Sequence, residues 1–164
     1  MGNEQNLETI GRLYSAFDAH DGGTMAACYT DDATFSDPVF PDLRDGRVRD
    51  MWTMLTSRAE DLKVELHEHD ADDASGSAHW IAHYTFQTGR KVTNDVQASL
   101  RFRDGLIVAH TDAFDFWKWS RQALGPPGLL LGWTPILRNK VRAQAGGDLE
   151  KFAAERQSPA GPDA

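Results

Sequence analysis

An imidazole and a carboxylate, His110 and Asp112, stand two residues apart in the stretch VQASLRFRDGLIVAHTDAFDFWKW, Val96 to Trp119. Runs of alternating, β-branched or apolar residues flank Arg103-Asp104-Gly105, and an Asp-Gly pair between such runs predicts a β-hairpin. On its second arm a period of two puts Val108, His110, Asp112 and Phe114 on one face, with Ile107, Ala109, Thr111 and Ala113 on the other. If the first face lines a pocket, the pair can move protons, because an apolar wall raises the pKa of a carboxyl toward working pH. Plainer readings stand beside this one. His110 fits a hydrogen-bonded core histidine, and Asp112 fits a helix cap or a partner for Arg121.

The elements that must position this pair follow from periodicity. Leu7, Ile10, Leu13, Tyr14 and Phe17 recur at helical spacing and predict an amphipathic helix over 7–19, with Asn3 or Asn6 as its cap. His20-Asp21-Gly22-Gly23 ends it, and a short helix over 24–29 follows. Ala33 to Asp37 is a strand stopped by Pro38, and 39–46 is a loop. A third helix over 47–62 has Val48, Met51, Trp52, Leu55 and Ala59 on one face. Strands are expected over 63–70 and 78–87, the second with Trp80, Ala82, Tyr84 and Phe86 sharing a face, then the long strand from Val92. Helices followed by an antiparallel meander predict an α+β fold, a curved sheet packed against N-terminal helices around an apolar mouth.

The chain after the hairpin differs in character. A helix over 117–124 ends at Gly125-Pro126-Pro127-Gly128. Leu129, Leu130, Leu131, Trp133, Ile136 and Leu137 then form an apolar cluster, followed by Arg138, Lys140 and Arg142. It reads as a strap across the sheet or a dimer contact, or else as a lid or interfacial anchor. A last short helix is expected over 148–156. The expected organisation is a pocket domain over 1–116, a helical apolar and basic extension over 117–157, and a disordered tail over 158–164.

Composition narrows the function. With 17 Lys and Arg against 25 Asp and Glu, the net charge of −8 argues against nucleic acid and, taken over the whole chain, against an anionic membrane surface. No apolar run reaches membrane-spanning length, and the first residues carry no secretory pattern. Cys28 alone allows no internal disulfide and no thiolate metal cluster; it reads as a small buried residue and fits a cytoplasmic protein. His67 and His69 share a strand face, but Glu65 and Asp70 beside them read as solvated edge, so no metal and no cofactor are expected.

The run Tyr29-Thr-Asp-Asp-Ala-Thr-Phe-Ser-Asp-Pro-Val39, before Gly46-Arg47, together with Arg101-Phe-Arg-Asp-Gly-Leu-Ile-Val108, resembles ketosteroid isomerases and the SnoaL-like group of the nuclear transport factor 2-like superfamily. The resemblance covers about residues 5 to 116. It implies a cone-shaped α+β barrel of the NTF2-like, or cystatin-like, kind, with a deep pocket for a small hydrophobic ligand and a homodimer packed through the sheet. It places Asp37 where the isomerases keep their general base, and Phe35, Pro38 and Val39 give that carboxyl apolar company. The isomerase oxyanion partners fall on Leu13, one step from Tyr14, and on Ala98, neither of which can donate a hydrogen bond from its side chain. His110 and Asp112 fall at positions like those of an acid/base Asp and a nearby His in the polyketide cyclases of the group. Tyr14, Trp52, Met54, Trp80, Asn94, Ala98 and Phe114 are implied to contact substrate.

Two functions follow from these residues. One is a cofactor-free isomerase or cyclase acting on a hydrophobic carbonyl compound, steroid-like or polyketide-like, with Asp37, His110 and Asp112 carrying acid/base work. The other is a module of the same fold that binds a small molecule, or forms a dimer for interaction, without catalysis. Asp37 before Pro38 also suits a plain strand-ending turn.

Overall fold

The computed structural model describes residues 2–157; the expected tail over 158–164 lies outside them. Three helices, α1 (Gly2–Asp18), α2 (Gly22–Ala27) and α3 (Gly46–Arg58), pack on a six-stranded curved sheet. Its strands are β1 (Tyr29–Ser36), β2 (Leu43–Arg44), β3 (Lys63–Ala71), β4 (Ser75–Thr85), β5 (Lys91–Arg103) and β6 (Leu106–Ala113). Their spatial order is β2-β1-β6-β5-β4-β3. The meander is antiparallel as expected, but β1 joins β6 in parallel, so the sheet is mixed. This parallel pairing sets Phe35 beside His110 and brings the end of β1, with Asp37, to the strand carrying Asp112.

Helix α1 starts earlier than its apolar pattern predicts, and Asn3 and Asn6 lie inside it rather than capping it. Asn6 is buried and donates from Nδ2 to the Asp72 carbonyl at 2.9 Å. Thr9 Oγ1 donates to the Gly105 carbonyl at 2.6 Å, and Asp18 Oδ1 accepts from the Val64 amide at 2.8 Å. Polar side chains thus tie the helix to three places in the sheet, a constraint invisible to a count of apolar spacing. In α3, Val48, Met51, Trp52 and Met54 are buried while Leu55, expected on the same face, is exposed, and the helix ends at Arg58, short of the expected residue 62.

The hairpin turns at Asp104-Gly105, both at positive φ (53° and 79°), the geometry of a type I′ turn. One feature of its second arm departs from strict alternation. Phe102 pairs with Ile107 but Arg101 pairs with Ala109, so Val108 is an extra residue, a β-bulge. Ile107 therefore joins His110 and Asp112 on the inner face, and Val108 does not share that face as period two predicts. Ile107, His110 and Asp112 are all buried, while Val108 is only half-buried.

After β6 come α4 (Phe116–Leu124), α5 (Pro126–Leu131) and α6 (Pro135–Gln157). The last is one continuous helix where the sequence predicts only a short one over 148–156; Gly146 and Gly147 are carried within it. Its second half is fixed to α3: Leu149 and Ala153 are buried, Arg47 grips Glu150 through two nitrogens at 2.8 and 2.9 Å, and Arg156 meets Asp50 at 3.0 Å. The apolar cluster before it is not a strap over the sheet: of its members only Leu137 is buried.

Close helix contact also holds α3, and with it Trp52, in place. A Cβ on Gly22 would lie 3.0 Å from Thr53 Cα and 3.3 Å from the Trp52 carbonyl oxygen, both backbone atoms that cannot swing away. Gly22→Ala is therefore expected to cost about 1–3 kcal/mol in urea unfolding. Gly23→Ala, where the nearest group is Asp21 Oδ1 at 3.6 Å, should be neutral or stabilising by up to about 1 kcal/mol. Equal effects of the two would contradict the packing described.

Candidate active site

Between the sheet and the helices lies a cavity of about 920 Å³ whose wall is mostly apolar. Five acidic residues line it: Glu60, Asp61 and Asp148, and, from the sheet, Asp37 at the end of β1 and Asp112 on β6. Trp52, Met54, Trp80, Asn94 and Phe114, all expected at the site, line it as well. Tyr14, Ala98 and His110 do not. Tyr14 packs on Trp80 at 5.6 Å between ring centroids, and Ala98 is paired with Asp112 across the sheet. His110 sits one layer back.

That second layer is a hydrogen-bonded chain. His110 Nε2 lies 2.7 Å from Asp112 Oδ1, and His110 Nδ1 lies 2.7 Å from Tyr29 Oη. We assign the proton on Nε2, which donates to the carboxylate, and the Tyr29 hydroxyl as donor to Nδ1, since this satisfies every member. Burial, reinforced by the Asp112 charge, pushes the Tyr29 phenol well above its ordinary pKa and keeps it a donor. Aromatic rings fix the imidazole: Tyr29 stacks on it at 6.1 Å, Phe35 meets it edge-on at 5.0 Å, and Trp52 lies at 6.0 Å. Neither alternative raised for Asp112 holds: Asp115 caps α4, and Arg121 lies over the Trp117 ring.

Asp37 combines the two roles that compete for it. Its Oδ1 accepts the amides of Val39 (2.7 Å) and Phe40 (2.6 Å), so it does build the turn. The same carboxyl faces the cavity. Burial raises its pKa from 3.8 to about 7; the Asp112 charge adds to this, while the two amides and His110 act against it. With Oδ1 occupied by the backbone, Oδ2 is the oxygen on which a proton can be held and released.

A further hydroxyl stands outside the residues expected at the site. Tyr84 lies on the cavity wall, and its Oη accepts from Trp119 Nε1 at 2.8 Å, leaving its own hydrogen to donate elsewhere. Burial raises its pKa, and the nearby Asp37 charge contributes in the same direction. Trp80, expected at the cavity wall, has its Nε1 buried without a hydrogen-bond partner. The signal for Tyr84 was its place two and four residues from Ala82 and Trp80; the Trp119 contact comes from α4 folding back and has no local signature. His67 and His69 lie on an exposed strand, and among the described residues no group of three or more His, Cys, Asp or Glu is arranged to hold a metal.

A raised carboxyl pKa has a consequence for stability. The folded chain holds the Asp37 proton up to about pH 7, whereas the unfolded chain releases it near 3.8. The contribution is favourable at low pH and is lost as pH rises from about 4 to 7, on the order of 4 kcal/mol at most. Asp37→Asn keeps the acceptor for Val39 and Phe40 and cannot ionise. Its stability relative to the parent should therefore increase between pH 5 and pH 8, read from urea midpoints at about those two values. Parallel pH dependences would show that Asp37 titrates as an ordinary carboxyl.

The comparisons with known proteins agree with this architecture. The model of the SnoaL-like domain matches residues 10–110. No curated protein matches the chain. Among solved structures, an LEH-like epoxide hydrolase from M. tuberculosis is similar over 84% of this chain and 98% of its own, with TM-score 0.65 and 20% identity. A candidate polyketide cyclase from Xanthomonas campestris pv. campestris is similar over 74% of this chain and 98% of its own, with TM-score 0.63 and 17% identity. A protein with ketosteroid isomerase-like fold from Catenulispora acidiphila, solved with trimethylamine, is similar over 78% and 98%, with TM-score 0.62 and 16% identity. At these identities the structures establish a common fold. With more than half its length matched by the family model, the chain belongs to the SnoaL-like family, and its fold is of the NTF2-like kind.

Proposed function

We propose that this protein is a cofactor-free acid/base enzyme that moves a proton on a hydrophobic carbonyl compound, as an isomerase or cyclase does. The observation that carries the reading is that the sheet side of one mostly apolar cavity carries two carboxyls in different settings: Asp37, pushed up to about 7, and Asp112, held by His110. Pairs of acids whose environments separate them divide acid and base roles between them. Asp37 takes the proton from the carbon beside the carbonyl, a task matched to a pKa near working pH. The Tyr84 hydroxyl, not the isomerase-type partners that Leu13 and Ala98 lack, supplies a donor for the developing enolate oxygen. Asp112, held as a carboxylate by His110 with Tyr29 behind it, fixes the negative field of the site, and Asp37, protonated in the first step, returns the proton. The epoxide hydrolase and the candidate polyketide cyclase of similar fold are in keeping with a pocket for small organic molecules. The proposal includes a cytoplasmic homodimer packed through the outer sheet face, as the family resemblance implies.

The test is exchange of α-hydrogens for deuterium in a panel of hydrophobic ketones, followed by NMR. The parent protein should exchange with a rate that rises through about pH 7 as Asp37 becomes a base. Asp37→Asn should lose about 10²–10⁴-fold in rate while ligand affinity is retained. Undiminished exchange in that variant would remove Asp37 as the base, and binding without exchange in the parent would support the non-catalytic module instead. Tyr29→Phe, which strips the donor from His110 Nδ1, should slow exchange by roughly tenfold and destabilise the fold by about 1–3 kcal/mol. A rate unchanged by it would confine the hydrogen-bonded chain to a structural role.

A further inference from the structure

The segment from Phe116 to Gly147 holds five cations and no acid, although the remainder of the chain has twelve cations against 25 acids. The net charge therefore conceals a basic end on an acidic protein. The same segment shows large apolar side chains to solvent: Leu130 is 66% exposed, Trp133 70% and Ile136 75%, with Leu129 and Leu131 beside them. This exposure is built into the packing. Gly128 and Gly132, one helical turn apart, lie against Ser120 so closely that a Cβ on either would collide with it. The glycine side of α5 is its inner side, so its leucines face outward.

The basic and apolar groups are continuous. Arg90, Lys91, Lys118 and Arg121 line one shallow hollow. The Arg121 guanidinium lies 4.4 Å over the Trp117 ring, and Trp117 Nε1 donates to the Leu129 carbonyl at 3.2 Å. Lys140 and Arg138 stand exposed on the first turns of α6, next to Ile136. An apolar ridge flanked by cations is the pattern of a chain that lies in a bilayer surface. Among the described residues no helix is long and apolar enough to cross a membrane, so such contact is peripheral.

We propose that the α4–α5–α6 face docks on an anionic phospholipid bilayer, with Leu129, Leu130, Trp133 and Ile136 entering the acyl boundary. The hollow of Arg90, Lys91, Lys118 and Arg121 receives a phosphate headgroup. Charge selects this occupant over a second copy of the chain: a two-fold contact sets each patch on its like and faces two basic segments against each other. The acidic remainder of the molecule, repelled by the same lipids, orients the docked face. The inner side of this segment, through Trp119, Leu124, Val141 and Ala145, lines the cavity, so docking would set that wall of the cavity beside the lipid. The docking stands whether or not the cavity is catalytic.

The test is flotation of the full chain with vesicles of equal parts phosphatidylcholine and phosphatidylglycerol, and with phosphatidylcholine alone. Binding is expected with the anionic vesicles, weakened by high salt, and absent from the neutral ones. Leu130→Ser/Trp133→Ser/Ile136→Ser, all at exposed positions, should lower binding at least tenfold with an unchanged thermal midpoint. Lys91→Gln/Lys118→Gln/Lys140→Gln should lower it about fivefold per charge removed at low salt. Absence of binding by the parent, equal binding to both vesicles, or binding untouched by the serine variant would each overturn the proposal. So would a stable dimer in sedimentation that the serine variant dissolves, since the patch would then belong to a second copy.

Discussion

The contact between His110 and Asp112 is the one on which the site depends. A carboxylate and an imidazole are both buried on the inner face of a sheet strand, where isolated charge costs several kcal/mol. The arrangement is tolerable because the line is hydrogen-bonded from end to end: Asp112 Oδ1 accepts from His110, and His110 Nδ1 accepts from Tyr29. That line requires the bulge at Val108. Without the extra residue, a strand that buries Ile107 would turn His110 and Asp112 to the outer face. One irregular step in one strand therefore decides whether Asp112 faces the cavity.

Asp37 is governed by the opposite balance. Two short backbone hydrogen bonds favour its ionised form, yet burial outweighs them and the carboxyl titrates at about 7. The turn that it closes is the reason for its position, and the parallel pairing of β1 with β6 is the reason its charge and that of Asp112 are felt mutually. A turn residue and a proton-transfer group are thus the same side chain, and the geometry of the first function fixes the second. Protons held so far above the unfolded value are a stability cost at neutral pH, the kind of local compromise found where a fold carries chemistry.

The C-terminal helices show a division of labour along one segment. Its second half is bound to α3 by Leu149, Ala153 and the Arg47–Glu150 and Arg156–Asp50 pairs. Its first half closes the cavity on one side and leaves leucine, isoleucine and tryptophan to solvent on the other. The glycines of α5 set which side is which, because only a residue without Cβ allows the close approach to Ser120.

Much was legible in the chain as a string of residues. The periods of 3.6 and 2 located the helices and strands of the core, apart from the two-residue β2, the first residues of β1, all of α5 and the full length of α6, and Asp104-Gly105 fixed the hairpin. These are local properties, set by the spacing of apolar side chains and by the φ values a residue tolerates. The family resemblance located Asp37, His110 and Asp112 as candidates from a few positions of fitting type. Their assembly was not local. Only the tertiary structure brought Tyr29 to His110 across 81 residues, set Trp119 on Tyr84, withdrew Tyr14 and Ala98 from the cavity wall and turned Ile107 inward through the bulge. The physical reason is that register, bulges and desolvation depend on which strands pair and what covers them, and none of these is written in the spacing of neighbours along the chain.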